Sequence, residues 1–411
     1  MGKLALVLSG GGSKGAYEIG VYKALKRLHK DIKIVTGTSI GAINGFFIVQ
    51  KDLRGAEKLW KQISFSTIYN EEDFDFKSTK LPDIYMQYVK SFITEGGMDV
   101  SKIEKVFDKF FKPNKFFKSK IDYGLVTYNM TENKPEIKTK KDLNKNNIKD
   151  YVIASASCYP AFKPHKINDK LYIDGGYYDN LPINLAIDLK ADEVIAVDLK
   201  AVGLKKEVKD KNKKITYISP RNKIVSFLVF DKDKAKEALK FGYNDTMKTF
   251  GRLDGDKFTF KQFNIVENYN KYNEKFTNNL NEIFKNAENV ILNKIFETNI
   301  IKHIINKQTL YPNFNYLVEK AGKIFNFDES TIYSIKSYNK GLLNSLYNTL
   351  PLKIEKLSNI KKITDQKQIV KAFYDAIKRN DKKLLLYIPL FSEEFLVAVY
   401  LHTIKDNKTK Y

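Results

Sequence analysis

Leu4 to Leu8 is an unbroken apolar run that stops at Ser9-Gly10-Gly11-Gly12-Ser13-Lys14-Gly15, and beyond the glycines Val21, Ala24, Leu25 and Leu28 recur at i, i+3, i+4 and i+7. A short apolar run bounded by glycines reads as a buried strand, and the spacing after it as a helix with one apolar face. Strand, tight turn and amphipathic helix make a βα unit. Ile32 to Thr36 repeats the strand, and a helix is expected from about Ile40 to Val49 after the turn Gly37 to Gly41. Further strands are expected at Tyr123 to Tyr128, Leu171 to Asp174, Val194 to Asp198 and Ile215 to Ile218. This alternation predicts an α/β fold up to about Ser219, with a mostly parallel central sheet and helices on both faces, hence three layers.

The rest of the 411 residues is patterned differently. Residues 64–119 are rich in Phe, Tyr and Lys without a strand period, which suggests a helical insertion in the 1–219 core; a lid and a set of buried support helices are both open to it. Lys200 to Lys214 carries seven lysines against two acids and reads as an exposed loop. Residues 220–411 read as a mainly helical region, with helical spacing at Ala287 to Ile305, Asn315 to Phe325, Thr331 to Leu350 and Gln366 to Ile377. The apolar stretch Leu384 to Ile404 is broken by Pro389, and Ser392-Glu393-Glu394 favours a buried helix that starts near Ser392.

Composition removes several classes of function. With one cysteine, Cys158, and four histidines, the chain has neither an intrachain disulfide nor the spacing of a Cys/His zinc site, so no metal centre is expected. The net charge of +23 favours anionic partners, but only five of the basic residues are arginine, the side chain that reads base edges in forked pairs. Specific nucleic-acid binding is therefore not expected. Leu4 to Leu8 is too short for a signal-peptide core, Leu6 stands where a myristoylation motif wants Ser or Thr, and no run of about twenty apolar residues would make a spanning helix. The expectation is a soluble, cytoplasmic protein, many of whose lysines form a solvated surface and some of which favour peripheral contact with an anionic membrane. Its oligomeric state is not legible.

The glycine loop Ser9 to Gly15 lies between a strand and a helix, where backbone N–H groups and the helix dipole converge on an anion or an oxyanion. Gly10, Gly12 and Gly15 satisfy a dinucleotide fingerprint, yet the second strand runs into Thr36 and Gly37 where an acidic residue should hold a ribose; a P-loop fails because Ala16 and Tyr17 follow Gly15. Gly37-Thr38-Ser39-Ile40-Gly41 is a G-x-S-x-G turn in the strand-to-helix position that exposes a nucleophilic serine. Such a serine needs a base. His29, His165, His303 and His402 have no triad-like context, whereas Asp174 closes a short strand before Gly175-Gly176; an ordinary Asp-Gly turn is the other reading of that residue.

Gly10 to Gly15, Gly37 to Gly41, the stretch Ala154-Ser155-Ala156-Ser157-Cys158-Tyr159-Pro160-Ala161-Phe162-Lys163-Pro164 and Asp174-Gly175-Gly176-Tyr177-Tyr178-Asp179-Asn180-Leu181-Pro182 resemble, in order and spacing, the patatin-like phospholipase family. The resemblance spans about Lys3 to Ser219 and implies a three-layer patatin-like core. It also implies a Ser-Asp dyad without histidine, in which Ser39 is the nucleophile and Asp174 its base, with Gly10, Gly11 and Gly12 as the oxyanion hole. Lys14, Gly15, Gly37, Gly41, Gly175 and Gly176 support these motifs. Ser9 and Lys14 depart from the plant storage members, which carry Asp and Arg there; Lys14 keeps the charge but not the planar fork. The implied activity is hydrolysis of fatty-acyl esters of phospholipids or lysophospholipids through an acyl-enzyme, without a cofactor. The alternative is a catalytically idle lipid- or protein-binding module on the same scaffold.

Overall fold

A computed structural model describes residues 2–64, 101–224, 229–285, 287–306, 308–358 and 365–405. The chain divides into two compact units, Met1–Thr249 and Phe250–Tyr411.

In the first unit the strands are β1 (Leu4–Leu8), β2 (Ile32–Thr38), β3 (Asp122–Asn129), β4 (Lys134–Thr139), β5 (His165–Ile167), β6 (Lys170–Asp174), β7 (Glu193–Val197) and β8 (Lys214–Ile218), in one sheet of order β5-β6-β3-β2-β1-β7-β8 with β4 also on β3. From β3 through β2, β1 and β7 to β8 every pairing is parallel, and β4, β5 and β6 join antiparallel. The helices are α1 (Ala16–Arg27), α2 (Ile40–Val49), α3 (Leu53–Gln62), α4 (Ser101–Asp108), α5 (Pro113–Lys118), α6 (Ile148–Ser155), α7 (Ile183–Asp188) and α8 (Lys232–Thr249). Side chains alternate along β1 and β2, so Ala5, Val7 and Ile34 pack with Ile183 and Ala186 of α7, while Val35 faces Gly45 of α2 on the other side. Three layers result: the fold is α/β with a mostly parallel central sheet.

The expected strands are present, each within a residue or two of its reading, and α2 spans Ile40–Val49 as its pattern requires. β4 was not foreseen. Its sequence Lys-Pro-Glu-Ile-Lys-Thr has no fully buried residue, as befits an edge strand whose charges block further pairing. Of the insertion expected at 64–119, residues 65–100 lie outside the described residues. At its described end, Phe107 and Phe116 are buried and stack with Phe111 around Phe46 of α2, with ring centroids 4.9–5.4 Å from Phe46.

The first unit also runs past the expected boundary at 219, because α8 packs on α1 at glycine contacts. A Cβ at Gly20 would lie 2.1 Å from the Leu239 carbonyl oxygen, and one at Gly242 would lie 2.0 Å from that of Tyr17. Tyr17 donates to Asp245 across this contact at 3.0 Å, and Asp245 is paired with buried Lys248 at 3.0 Å.

The second unit holds a short three-stranded sheet and a helical core that includes α9 (Asn264–Phe284), α10 (Asn289–Phe296), α11 (Asn299–Ile305), α12 (Leu310–Ile324), α13 (Ile335–Tyr347), α14 (Gln366–Arg379) and α15 (Ser392–Ile404). Phe395 to Leu401 of α15 are all buried in that core, in accord with a buried helix starting near Ser392. Among the described residues, no helix is long and apolar enough to cross a membrane.

Candidate active site

β2 ends at Thr38 and α2 begins at Ile40, so a single residue, Ser39, makes the reversal. It does so at φ 58° and ψ −128°, a backbone conformation that costs a non-glycine residue about 1–3 kcal/mol and persists only where its surroundings fix it. They do. Ser39 N–H donates to Ser155 Oγ at 3.0 Å, Ser155 hands its own proton to the Val126 carbonyl at 2.7 Å, and Thr38 Oγ1 donates to the Asp179 carbonyl at 2.7 Å. Gly37 and Gly41 make the turn sterically feasible: a Cβ at Gly37 would lie 2.3 Å from the Gly41 carbonyl oxygen, and one at Gly41 2.5 Å from that of Leu8.

Asp174 reaches the same place from another strand. Thr38 pairs with Val126 on β3, and Thr127 pairs with Asp174, so β6 stops level with the end of β2 one strand away. Because β6 is antiparallel, the carboxyl-edge rule for parallel sheets does not explain this position; the shortness of β6 does. Gly175 follows so closely on β3 that a Cβ there would lie 2.1 Å from the Val126 carbonyl oxygen.

The Ser39 hydroxyl stands beside the Asp174 carboxyl and favours its charged form, and Gly176 N–H donates to Asp174 Oδ1 at 2.7 Å. Both residues are 5% exposed. Burial pushes the Asp174 carboxyl up to about 6, although the neighbouring Ser39 hydroxyl and the Gly176 N–H pull the other way.

The glycine loop borders this pair. A Cβ at Gly10 would lie 3.1 Å from Ser39 Cβ and 2.1 Å from Asn180 Oδ1, so any side chain there would have to displace Asn180. The Gly10 N–H, however, donates to the Asn180 carbonyl at 3.0 Å. This corrects the expectation for Gly10: its donor is engaged within the fold, and the N–H groups of Gly11 and Gly12 are the loop donors without an acceptor among the described residues. Lys14 points away and donates to the Leu199 carbonyl at 3.4 Å, tying the loop to the segment after β7; burial lowers its ammonium against the pull of Asp198. Gly15 packs under the loop, where a Cβ would lie 2.4 Å from Ile40 Cγ1 and 2.7 Å from the Trp60 ring, and its carbonyl accepts from Asn44 Nδ2 at 2.9 Å. Asn44 also donates to buried Glu18 at 2.8 Å and accepts from Trp60 Nε1 at 3.0 Å.

Gly11, Ser39 and Asp174 open into a cavity of about 530 Å³, walled by Cys158, Tyr177 and Leu204 among others, a volume suited to burying a drug-sized ligand. The Cys158 thiol is pushed up to about 12 by burial and by the charge of Asp174, so it is no nucleophile. Among the described residues no histidine lines the cavity, and no group of three or more His, Cys, Asp or Glu side chains could hold a metal ion. Sequence reasoning assigned no role to Ser155 or Asn180, although both stand in the stretches that carried the resemblance.

Residues 6–187 match the model of the family described as Patatin-like phospholipase. "Patatin-like phospholipase domain-containing protein 7" of Rattus norvegicus is 28% identical over 200 residues, 48% of this chain and 13% of that protein. "Lysophospholipase NTE1" of Candida albicans is 30% identical over 203 residues, again 48% of this chain and 13% of the other. Among solved structures, VipD from Legionella pneumophila aligns over 100% of this chain and 92% of that one, at 15% identity and a TM-score of 0.40. The chain thus spans about an eighth of the length of these curated relatives. With its four motifs gathered at one rim of the sheet, the 6–187 segment of this chain thus matches a patatin-like phospholipase domain.

Proposed function

We propose that this chain is a serine acyl hydrolase that cleaves fatty-acyl esters of phospholipids or lysophospholipids, with Ser39 as nucleophile and Asp174 as its base. One observation carries the reading: Ser39 and the buried Asp174 carboxyl stand side by side in the lining of one mostly apolar cavity. A serine hydroxyl needs a proton acceptor as it attacks, and the best acceptor has a pKa near the working pH. Asp174, at about 6, is ionised near neutrality yet far more basic than a solvated aspartate.

The ester enters with its carbonyl carbon above Ser39 Oγ. The oxygen attacks, the proton passes to Asp174, and negative charge gathers on the former carbonyl oxygen, where the Gly11 and Gly12 N–H groups receive it; one such donor is typically worth about 2.7–4 kcal/mol in the transition state. Collapse expels the lysolipid or glycerol alcohol, which takes the proton back from Asp174. Water then attacks the acyl-serine, gives its proton to Asp174, and the second collapse releases the fatty acid and restores the Ser39 hydroxyl. Side chains and backbone amides suffice for every step.

Wild type, Ser39→Ala and Asp174→Asn are to be compared for fatty-acid release from phospholipid vesicles and from a soluble acyl ester. Both variants are expected to lose activity by at least about 10³-fold, and wild type is expected to react with a serine-directed fluorophosphonate at Ser39. Retained turnover in Ser39→Ala would remove the mechanism, and a wild type inert to both substrate and probe would leave an idle binding module.

A further inference from the structure

Val202 is fully exposed, Leu204 is 61% exposed and Tyr177 is 45% exposed, and all three line the cavity that holds Ser39. Exposed apolar side chains scattered singly are ordinary on a protein surface. Three at one cavity mouth are a feature. The segment that carries two of them is strapped down: Leu204 N–H donates to the Gly176 carbonyl at 3.0 Å, and the Leu204 carbonyl accepts from Asn180 N–H at 2.6 Å. Further along, Lys206 N–H reaches the Asp179 carboxylate at 3.4 Å, while Asn184 holds the Glu207 carbonyl at 2.8 Å and the Lys209 N–H at 2.9 Å. Gly203 sits at φ 147° against Asn180, where a Cβ would come within 2.7 Å of Asn180 Cγ. The backbone of the loop is thus tied inward, and its aliphatic carbon faces outward.

The charges around this tip are mostly positive. Residues 200–214 carry seven lysines and two acids. Lys200 is exposed, Lys205 is held beside the tip by Asp198 at 2.8 Å, and the Lys206 ammonium lies 4.1 Å from the centre of the Tyr178 ring. An acidic protein or a soluble anion would satisfy the lysines but would have no use for bare valine and leucine carbon. A bilayer with anionic headgroups offers both partners in the right order of depth, phosphate and carboxylate outside and hydrocarbon within.

We infer that the 200–206 loop, with Val202 at its tip and Leu204 and Tyr177 behind it, is the surface by which this protein lies on an anionic bilayer, so that the cavity mouth opens onto the lipid. The inference rests on the acyl-hydrolase reading for its purpose, but it is tested by binding alone. Cosedimentation of the full chain is to be measured with vesicles of phosphatidylcholine and with vesicles that also contain phosphatidylserine, for the parent, Val202→Asp and Val202→Trp. The parent is expected to partition onto the mixed vesicles in preference to the neutral ones, and less so as salt rises above about 0.1 M, where charges are screened within about 10 Å. Val202→Asp is expected to lower that partition by about tenfold, and Val202→Trp to raise it severalfold. Val202 is fully solvated, so neither change disturbs the core.

Equal partition of parent and Val202→Asp would overturn the inference, and so would a parent that ignores the anionic lipid. A self-association of the parent that Val202→Asp abolishes would give the tip to a second copy, and overturn it as well. Fatty-acid release from a soluble ester separates this inference from the catalytic reading: a parent that binds through Val202 but hydrolyses nothing loses the catalysis and keeps the docking surface, whereas one that hydrolyses but binds independently of Val202 does the opposite.

Discussion

An aspartate in water is a poor base for a serine hydroxyl, and what changes Asp174 is the loss of water around it. kcat/KM for a soluble ester should therefore fall on the acid side with an apparent pKa of about 6, where the carboxylate takes up a proton, and a steady-state pH profile checks it. The same burial acts on stability. The folded state binds this proton more tightly than the unfolded chain, so the cost of keeping Asp174 ionised is present above about 6 and disappears as the pH falls below the ordinary value of 3.8. Asp174→Asn should raise stability by about 1–3 kcal/mol in neutral or mildly alkaline buffer while abolishing turnover. That gain should shrink as the pH drops through 6, as read by urea denaturation. At this scale the sequence was informative where chemistry demands a residue type in a fixed local turn, as at Ser39. It was silent on which way a peptide points. That the Gly10 N–H turns to Asn180 depends on a residue 170 positions away, and no local pattern encodes it.

Three helices meet beneath the glycine loop, and the polar group that joins them is Asn44. From α2 it bonds Glu18 on α1, Trp60 on α3 and the carbonyl of Gly15. Asn44→Ala would leave three buried polar groups without that partner, and a loss of about 2–4 kcal/mol is expected in urea denaturation. Because Gly15 closes the loop that carries the proposed oxyanion donors, kcat/KM should also fall, by about 10- to 100-fold, at temperatures where the variant is folded. An activity equal to wild type would show that the loop is held by other contacts. Elements whose faces differ in polarity were legible: β1, β2 and β7 as apolar runs, α1 by its stripe and α2 between its glycines. β4 and the three-residue β5 were not, since an exposed edge strand lacks the apolar alternation that gives a strand away. The antiparallel sense of β6 was illegible for another reason: strand direction belongs to the pairing and not to the strand.

The extent of the first unit is a property of the whole molecule. A helix reads as helical whichever core it joins, so the change from strands to helices near 219 offered a boundary that the α1–α8 contact moves to Thr249. A chain ending at Thr249 should fold and hydrolyse a soluble ester, whereas one ending at Pro220 should lose activity and cooperative unfolding. The shorter chain strips α1 of the helix that meets Gly20 and leaves Tyr17 without Asp245. Circular dichroism melts and ester turnover on the two truncations decide the point. One consequence of the arrangement under the loop reaches beyond mutagenesis. The chain has a single tryptophan, and it is fully buried against Gly15 with its indole N–H on Asn44. The intrinsic fluorescence of the unlabelled protein is therefore a local gauge: ligands that shift the glycine loop should change its emission, and melting of residues 250–411 alone should leave it dark to the event.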